Sequence, residues 1–554
     1  MATVALNGTQ QFNAVASPSS AQQTFTWTVT GTTCSGSACG TVNSSGLYTA
    51  PATLPGGMPP IVKVTATSSA DPTATPGNAN VTLVSSQLNR VKGTYTLRFN
   101  GFNAVGAVLA VGNLVTDGNG HITSGAEDVS TSSGPLPTLT ITGGSYTVGS
   151  DGRGGMTVNT SSGTYCYLFA VGSTTLDNPL FAQFDSTSTC TATGSGMGTH
   201  GTGVMNLATL PFNNGVLKQP YVFELAGADA NGKRVAYVGK IVADPTGNGN
   251  IISGSLDIND AGTLTSSSTV TGTYNVSASG RATMTLNAGL NSPLNFAFYV
   301  KDKDELHIIS TDPVITNPRV AGFAESQNAT PAYDNGTFNG KSVFYVTGVD
   351  ASNSLHGDAS AGVATTNGAG NLSGVLDRND AGTLTSNHAF SGDNYSASPA
   401  GSGRYTLSLN GVPYVMYAIT TNKGLLLDQS SVSVFSGLME PQSSANLNAA
   451  TINGSFIQTS QQVSTAAAVD QVSALSLNAG SGQISGTLDE TDGSENPNLP
   501  VAGSYTVSSN GRGTFDLTMP SASHSVLYVL SASEFVVVDM DTSNQNPTVL
   551  RSER

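Results

Sequence analysis

An internal repeat constrains the fold of this chain more than any other feature of its sequence. Two short signatures recur four times along the 554 residues. The first is a Gly-rich turn followed by a strand-like segment and an acidic turn. The second is a hairpin with a Gly-Arg pair, at Gly152-Arg153, Gly280-Arg281, Gly403-Arg404 and Gly511-Arg512. Self-similarity of this kind marks a repeat architecture.

Composition indicates that the repeated unit is built from β-strands. Only 10% of the residues are charged, which leaves the chain poor in the Glu, Lys and Arg that long helices use, and there are 64 glycines. Short runs of alternating Val, Thr, Ser and Tyr lie between Gly-rich turns, as expected of strands. We therefore predict an all-β fold: a domain at 1–85 and four tandem sandwich-like or barrel-like units at 86–205, 206–327, 328–444 and 445–554.

The first 85 residues resemble the bacterial Ig-like domains of secreted and surface proteins. The resemblance rests on the GTQQF segment, the strand with Trp27, the GLYTAP turn and the VTATS strand. It implies a β-sandwich in which Trp27 is a core residue. Members of the family usually carry a further strand ahead of the GTQQF segment, and this chain begins almost at that segment. The resemblance therefore implies an incomplete sheet with an open edge.

The four repeats resemble units found beside Ig-like domains in large secreted or surface bacterial proteins of no established activity. That resemblance implies an extracellular or cell-surface location. The N-terminus shows no signal peptide, so a cytosolic protein and a mature or excerpted secreted protein both fit. The four cysteines favour the secreted form, with local disulfides Cys34–Cys39 and Cys166–Cys190, although four buried thiols remain the alternative.

Charge and hydropathy exclude two classes of partner. The formal net charge is −15, and an acidic chain without basic clusters repels nucleic acid. No apolar run reaches the length needed to span a bilayer as a helix.

The acidic turns are the only candidate metal sites. Calcium is held by several oxygens from alternating loop residues, whereas Asp and Asn also stabilise turns without a metal. Structural turns and weak calcium sites both remain open, and we predict no other cofactor. The candidate ligands are Asp257, Asn259, Asp260, Asp377, Asn379, Asp380, Asp489 and Asp492.

The arginine of each Gly-Arg hairpin has two interpretations. It can pair with an acidic-turn carboxylate of its own unit, or it can bind a ligand. No motif of a hydrolase nucleophile or a zinc protease is present, so we predict no catalytic residue and no enzymatic activity.

These observations predict an extracellular rod with a structural or adhesive role at the cell surface. The specific hypothesis is a pilus-like filament, a homopolymer in which a strand of one subunit completes the open Ig-like edge of the next. Either terminus could supply that strand, including the segment Glu534–Met540 with its tail to Arg554. The alternatives are a monomeric adhesin stalk or carbohydrate-binding surface protein that contacts glycans, and an accessory region of a larger secreted enzyme.

Overall fold

A computed structural model describes most of the chain. The described residues are 2–6, 8–18, 20–31, 34–51, 61–84, 87–149, 151–172, 178–184, 192–194, 198–209, 211–328, 333–350, 353–443, 446–461, 465–491 and 495–554. Apart from strands, these residues form five short 3₁₀ turns, at Gly36–Cys39, Leu88–Arg90, Asn214–Val216, Asn335–Thr337 and Ala449–Ile452. Within the described part of the chain, no helix is long and apolar enough to cross a membrane.

The N-terminal unit consists of two small sheets around a shared apolar core that includes the fully buried Tyr48. One sheet has the order β1-β7-β6-β3 and the other β2-β5-β4. Trp27 is half-buried and packs against the core, and the disulfide Cys34–Cys39 lies beside it. The strands are β1 (Ala2–Ala5), β2 (Thr9–Gln11), β3 (Phe25–Gly31), β4 (Thr41–Val42), β5 (Leu47–Thr49), β6 (Ile61–Ser68) and β7 (Gly77–Val84).

The first two repeats form barrels of eight strands, closed by the pairs β9–β10 and β19–β20, with short strands added at the side. The first contains β8 (Lys92–Asn103), β9 (Gly106–Asp117), β10 (His121–Thr131), β11 (Gly134–Pro135), β12 (Leu139–Tyr146), β13 (Arg153–Thr160), β14 (Gly163–Ala170), β15 (Leu180–Phe184), β16 (Thr193–Gly194) and β17 (His200–Leu207). The second contains β18 (Pro220–Ala228), β19 (Arg234–Ala243), β20 (Asn250–Asp260), β21 (Thr263–Ser267), β22 (Thr271–Val276), β23 (Arg281–Asn287), β24 (Leu294–Val300), β25 (Glu305–Ser310) and β26 (Arg319–Ser326).

The third and fourth repeats are closed barrels in which each strand pairs with the next and the last returns to the first. The third contains β27 (Asn339–Asp350), β28 (Asn353–Asn367), β29 (Asn371–Asp380), β30 (Thr383–Ala397), β31 (Arg404–Leu409), β32 (Val412–Thr420), β33 (Lys423–Asp428) and β34 (Ser433–Pro441). The fourth contains β35 (Gly454–Gln461), β36 (Asp470–Asn478), β37 (Gln483–Thr491), β38 (Glu495–Tyr505), β39 (Arg512–Met519), β40 (Ser523–Ser531), β41 (Glu534–Asp539) and β42 (Val549–Glu553).

These barrels confirm the prediction of an all-β fold with four tandem barrel-like units. Successive side chains of a strand alternate between the barrel interior and its outer face. Each interior contains its own apolar cluster. Several outer faces are apolar as well, and they pack against neighbouring barrels. One cluster joins the first and second barrels, one joins the second, third and fourth, and one joins the fourth and first.

A charged contact, here called the Arg–Asp clamp, repeats at each junction between barrels. In the third and fourth barrels, Arg512 donates from Nε and Nη2 to both carboxylate oxygens of Asp377, at 2.7 and 2.8 Å. The hydroxyl of Tyr528 donates to the same carboxylate. The equivalent clamps pair Arg281 with Asp128, Arg404 with Asp257, and Arg153 with Asp489.

The last clamp shows that the four barrels form a closed ring. Arg153 belongs to the first repeat and Asp489 to the fourth, so the end of the repeat array returns to its beginning. His200 of the first repeat also pairs with Asp470 of the fourth, at 2.7 Å. In the other three clamps a tyrosine lies opposite the arginine in the strand register. In the first repeat Ala170 takes this position opposite Arg153.

The closed ring corrects two predictions. The repeats do not form a rod, because the first and fourth barrels are in contact. Each Gly-Arg arginine binds the acidic turn of the neighbouring repeat and not, as predicted, the acidic turn of its own repeat. The clamp therefore joins two barrels and does not join two hairpins of one barrel. The sequence shows which residue types recur but not which copy each one reaches.

The predicted open edge and its donor strand are also wrong. Strand β1 precedes the GTQQF segment and pairs in parallel with β7, so the strand expected to be missing is present. At the other end, β41 pairs with β40 and β42, and β42 also pairs with β35. Glu534–Met540 and its tail therefore complete their own barrel and are not available to another subunit.

Loss of one clamp should destabilise the protein. In Asp377→Asn the carboxylate that is fully buried opposite Arg512 becomes a neutral amide. Leaving a buried charge without its partner costs on the order of 3 kcal/mol. We expect a clear fall in the midpoint of urea unfolding, measured by the far-ultraviolet circular dichroism of the β-strands. The exposed Asp334→Asn is the matched control, and equal midpoints for the two variants would contradict the role of the clamp.

The clamps also predict a response to acid. Burial opposes ionisation of Asp257 and Asp377, but hydrogen bonds from arginine, serine or backbone N–H groups, and tyrosine outweigh it and hold the pKa of both carboxyls below 3.8. The stabilisation is therefore complete above about pH 4 and is lost as the pH falls through the lowered pKa values. The thermal midpoint of the unmodified protein should fall more steeply below pH 4 than that of an Asp257→Asn, Asp377→Asn double variant. Parallel curves would contradict this assignment.

Candidate functional site

The interior of the fourth barrel contains a cavity of about 310 Å³. We call this cavity the cup. Residues from every strand of the fourth barrel line it, so it lies inside one repeat and not between repeats. Its apolar part is formed by Leu475, Leu488, Val501, Phe515, Leu517 and Leu550. Its polar part includes Gln458, Gln471, Ser473, Glu490, Ser523, Ser525, Asp539, Asp541, Asn544 and Asn546.

Strand β40 explains part of the cavity. In the strand register, Tyr528 lies opposite the clamp arginine of its repeat, as do Tyr299 and Tyr417 in theirs. Three residues earlier, the interior position holds Ser525. The matched positions of the other repeats hold the buried aromatic residues Tyr167, Phe296 and Tyr414. The fourth barrel therefore has a hydroxymethyl group where each of the other three has a ring.

A second replacement lies across the first and last strands of the barrel. In the third repeat, Phe344 lies opposite Met439, and both are buried in the interior. The matched pair in the fourth repeat is Gln458 opposite Ser552. The side-chain amide of Gln458 donates to Ser552 Oγ at 2.8 Å, which satisfies two polar groups deep in the barrel wall.

The same difference appears in the aromatic content of the four interiors. The clusters of the first and second barrels each contain seven buried aromatic side chains, and the third contains eight. The cluster of the fourth contains four: Phe456, Tyr505, Phe515 and Phe535. An eight-stranded barrel is just wide enough to be filled by its own side chains or to hold one small ligand. The fourth barrel has the composition of the second kind.

Carboxylates lie among the polar groups of the cup. Asp539 accepts hydrogen bonds from the backbone N–H of Asp541, at 2.8 Å, and from the amide of Asn544. Burial raises the pKa of Asp539, and these hydrogen bonds oppose the rise. Ser473 is 2% exposed, and its Oγ has no hydrogen-bond partner.

The loop between β41 and β42 lines the cup, and the third repeat holds this loop in place. The amide of Asn379, in the acidic turn of the third repeat, donates to the carbonyls of Asp539 and Asp541 at 3.2 and 3.1 Å. Asn259 makes the equivalent contact one repeat earlier, with the carbonyls of Asp428, Ser430 and Ser433. The acidic turns therefore contribute to the junctions through both their Asp and their Asn.

The candidate calcium ligands are distributed over these contacts. Asp257, Asp377 and Asp489 bind arginines, and Asn259 and Asn379 bind loop carbonyls. Asp380 lies close to Asp350 and Asp358, but Arg378 contacts Asp358 and Asp380. Asp260 ends β20, and its pKa is raised by burial. Asp492 lies outside the described residues, and calcium binding stays a prediction.

Of the two predicted disulfides, the structure describes both cysteines of only one. The predicted Cys34–Cys39 disulfide is confirmed, with a Cα–Cα distance of 5.3 Å. Cys166 is buried in β14. Cys190 lies outside the described residues, so its pairing with Cys166 stays a prediction.

A second cavity, of about 160 Å³, lies where the four barrels meet. Residues of every repeat line it, including Arg98, Glu305, Tyr345 and Arg551. Three of its lining groups pair with charged side chains that lie outside the lining. Lys301 pairs with Glu305 at 2.6 Å, Lys423 with Glu325 at 2.7 Å, and the Tyr345 hydroxyl donates to Glu440 at 2.7 Å. This arrangement serves the contact between barrels, and the cup is the stronger candidate for a ligand.

Comparisons with known proteins do not identify the chain. No protein-family model matches it, and no curated protein matches it. Weak matches among solved structures include two mutants of transferrin binding protein B, a vaccine antigen from Haemophilus parasuis. Their identities are 12% and 13%, each match covers 71% of this chain and 83% of the other, and the TM-scores are 0.17 and 0.16. Matches at these scores carry no argument about fold or function, and membership of the Ig-like family stays a prediction.

Exchanging residues between matched positions of two barrels tests the origin of the cup. In Tyr414→Ser a buried ring is lost from the filled third barrel, and cavity formation should cost about 3 kcal/mol. In Ser525→Tyr a ring enters existing space in the fourth barrel, and we expect little change or a rise in the thermal midpoint. Equal destabilisation by both substitutions would show that the fourth interior has no room for the ring.

Proposed function

We propose that the chain is an extracellular binding protein of the cell surface, in which a ring of four barrels carries a small-molecule site inside the fourth. The cup carries this proposal, because Ser525 stands at an interior position where the three other repeats have the buried rings of Tyr167, Phe296 and Tyr414. Ligand sites are typically concave, mostly apolar and equipped with a few polar groups. The cup shares the concave shape, and its lining places Phe515 and aliphatic side chains beside a larger number of polar groups.

An extracellular location is supported by the disulfide Cys34–Cys39. Disulfides form and persist in oxidising compartments and are rare in the cytosol. The low content of charged residues, 10%, and the acidic net charge agree with the sequence resemblance to secreted and surface proteins.

The filament hypothesis has lost its original support, because β1 fills the edge expected to be open and β41 and β42 belong to a closed barrel. Carbohydrate binding at an open surface would use exposed aromatic rings. Among the described residues, the exposed large apolar side chains are aliphatic. A concave site for a small molecule inside one barrel fits these facts better. Self-assembly, glycan binding and the absence of catalysis stay predictions.

Fluorescence of N-phenyl-1-naphthylamine, an uncharged apolar probe, tests the proposal on the full chain. We expect a saturable rise in fluorescence with the unmodified protein and its loss in Ser525→Tyr, where the new ring occupies the cup. The control Ser396→Tyr places the same side chain at an exposed position of the third barrel and should leave binding unchanged. An absence of saturable binding, or equal binding by Ser525→Tyr, would refute the proposal.

A further inference from the structure

The charges of the cup all have the same sign. The described residues that line it include three carboxylates, those of Glu490, Asp539 and Asp541, and no Lys, Arg or His. Apolar side chains, among them Leu488, Val501 and Phe515, form another part of the lining. Negative charge in a cavity lowers the energy of a cation and raises that of an anion, and this effect is stronger away from bulk water.

Two junctions show one way in which this chain stabilises a buried carboxylate. Asp377 and Asp257 each receive a bidentate arginine and a tyrosine hydroxyl. Asp539, by contrast, accepts its hydrogen bonds from the neutral N–H groups of Asp541 and Asn544. The carboxylate of Asp541 receives the backbone N–H of His524 at 3.3 Å. The hydrogen bonds of Asp539 and Asp541 therefore come from neutral groups, whereas Asp377 and Asp257 receive a guanidinium.

An independent observation points into the same cavity. Ser473 lies on β36, is almost completely buried and lines the cup, yet its Oγ has no partner. A buried hydroxyl without a partner costs free energy that a ligand bearing a hydrogen-bonding group recovers. The cup thus combines a hydroxyl without a partner, the carboxylates of Asp539 and Asp541, and apolar side chains within one cavity.

We infer that the ligand of the cup is a small amphiphile with an apolar body and a protonated amine. The inference rests on the proposed function and names its ligand class. The apolar body packs against Leu488, Val501 and Phe515, and the ammonium group donates to the carboxylates and to Ser473 Oγ. The ammonium supplies the positive charge that an arginine supplies in each clamp. A neutral head group lacks this charge, and a carboxylate head group is repelled.

Three probes with the same tail and different head groups test the inference at pH 7. Octylamine, octanol and octanoate compete with N-phenyl-1-naphthylamine for the full-length protein, and calorimetry measures each directly. We expect octylamine to bind about tenfold or more tightly than octanol, a difference of about 1.4 kcal/mol, since a hydrogen bond between charged groups is stronger than one to a neutral hydroxyl. Octanoate should not compete.

Two variants assign the preference to the cup. Glu490→Gln and Asp539→Asn should weaken octylamine severalfold and leave octanol unchanged, because only the charge is removed. Asp334→Asn, exposed in the third repeat, is the matched control and should alter neither affinity. Equal affinities for octylamine and octanol, or preference for octanoate, would overturn the ligand class while leaving the cup as a binding site. Failure of the naphthylamine probe itself to bind would instead refute the proposed function.

Discussion

The bidentate contact between an arginine of one repeat and an aspartate of its neighbour governs the architecture. The same head-to-tail contact is made four times, and a contact of that kind closes into a ring when its rotation returns to the start. Here Arg153 and Asp489 close the ring within one chain. Buried ion pairs add little net stability but penalise every arrangement that leaves one member alone. The clamps therefore act mainly on specificity: an Arg or Asp of any repeat that misses its neighbour is left uncompensated.

Apolar packing supplies most of the attraction between neighbouring barrels, and the clamps determine how the barrels are oriented. Strand β24 shows the pattern, with Phe296 and Phe298 in the interior of the second barrel and Ala297 and Tyr299 in the cluster shared with the first barrel. Both faces of such a strand are buried, so it reads as an uninterrupted apolar run. Strand β40 follows the same rule, with Leu527 inside its barrel and Val526 and Tyr528 in the cluster shared with the neighbouring barrels.

Much of the fold could be predicted from the sequence, because strands and turns leave local signals. The four repeats, their β-structure and the Cys34–Cys39 pairing were all readable in this way. Ring closure was not, since identical signatures do not reveal whether Arg404 contacts Asp377 of its own unit or Asp257 of the preceding one. The uninterrupted runs LNFAFYV and VLYVL were the available signal, because strands of an isolated barrel with a solvated outer face should alternate.

The cup left a fainter signal. Only a position-by-position comparison of the repeats shows Ser525 where the others have Tyr167, Phe296 and Tyr414, and that comparison needs the strand register. The first residues were misjudged for a different reason. Ala2–Ala5 is too short for its alternation to be recognised, and its parallel pairing with Val81–Val84 depends on residues far along the chain.

The alternation of side chains along β40 separates two kinds of evolutionary freedom. Outward residues such as Tyr528 pack at the junction between barrels, whereas inward residues such as Ser525 line their own interior. A duplicated barrel can therefore change its contents without disturbing the assembly that holds it in place. By this logic, replacing interior aromatic residues with small ones can open a cavity in each of the three filled barrels. A single chain of this design could then hold up to four different ligands at fixed mutual positions.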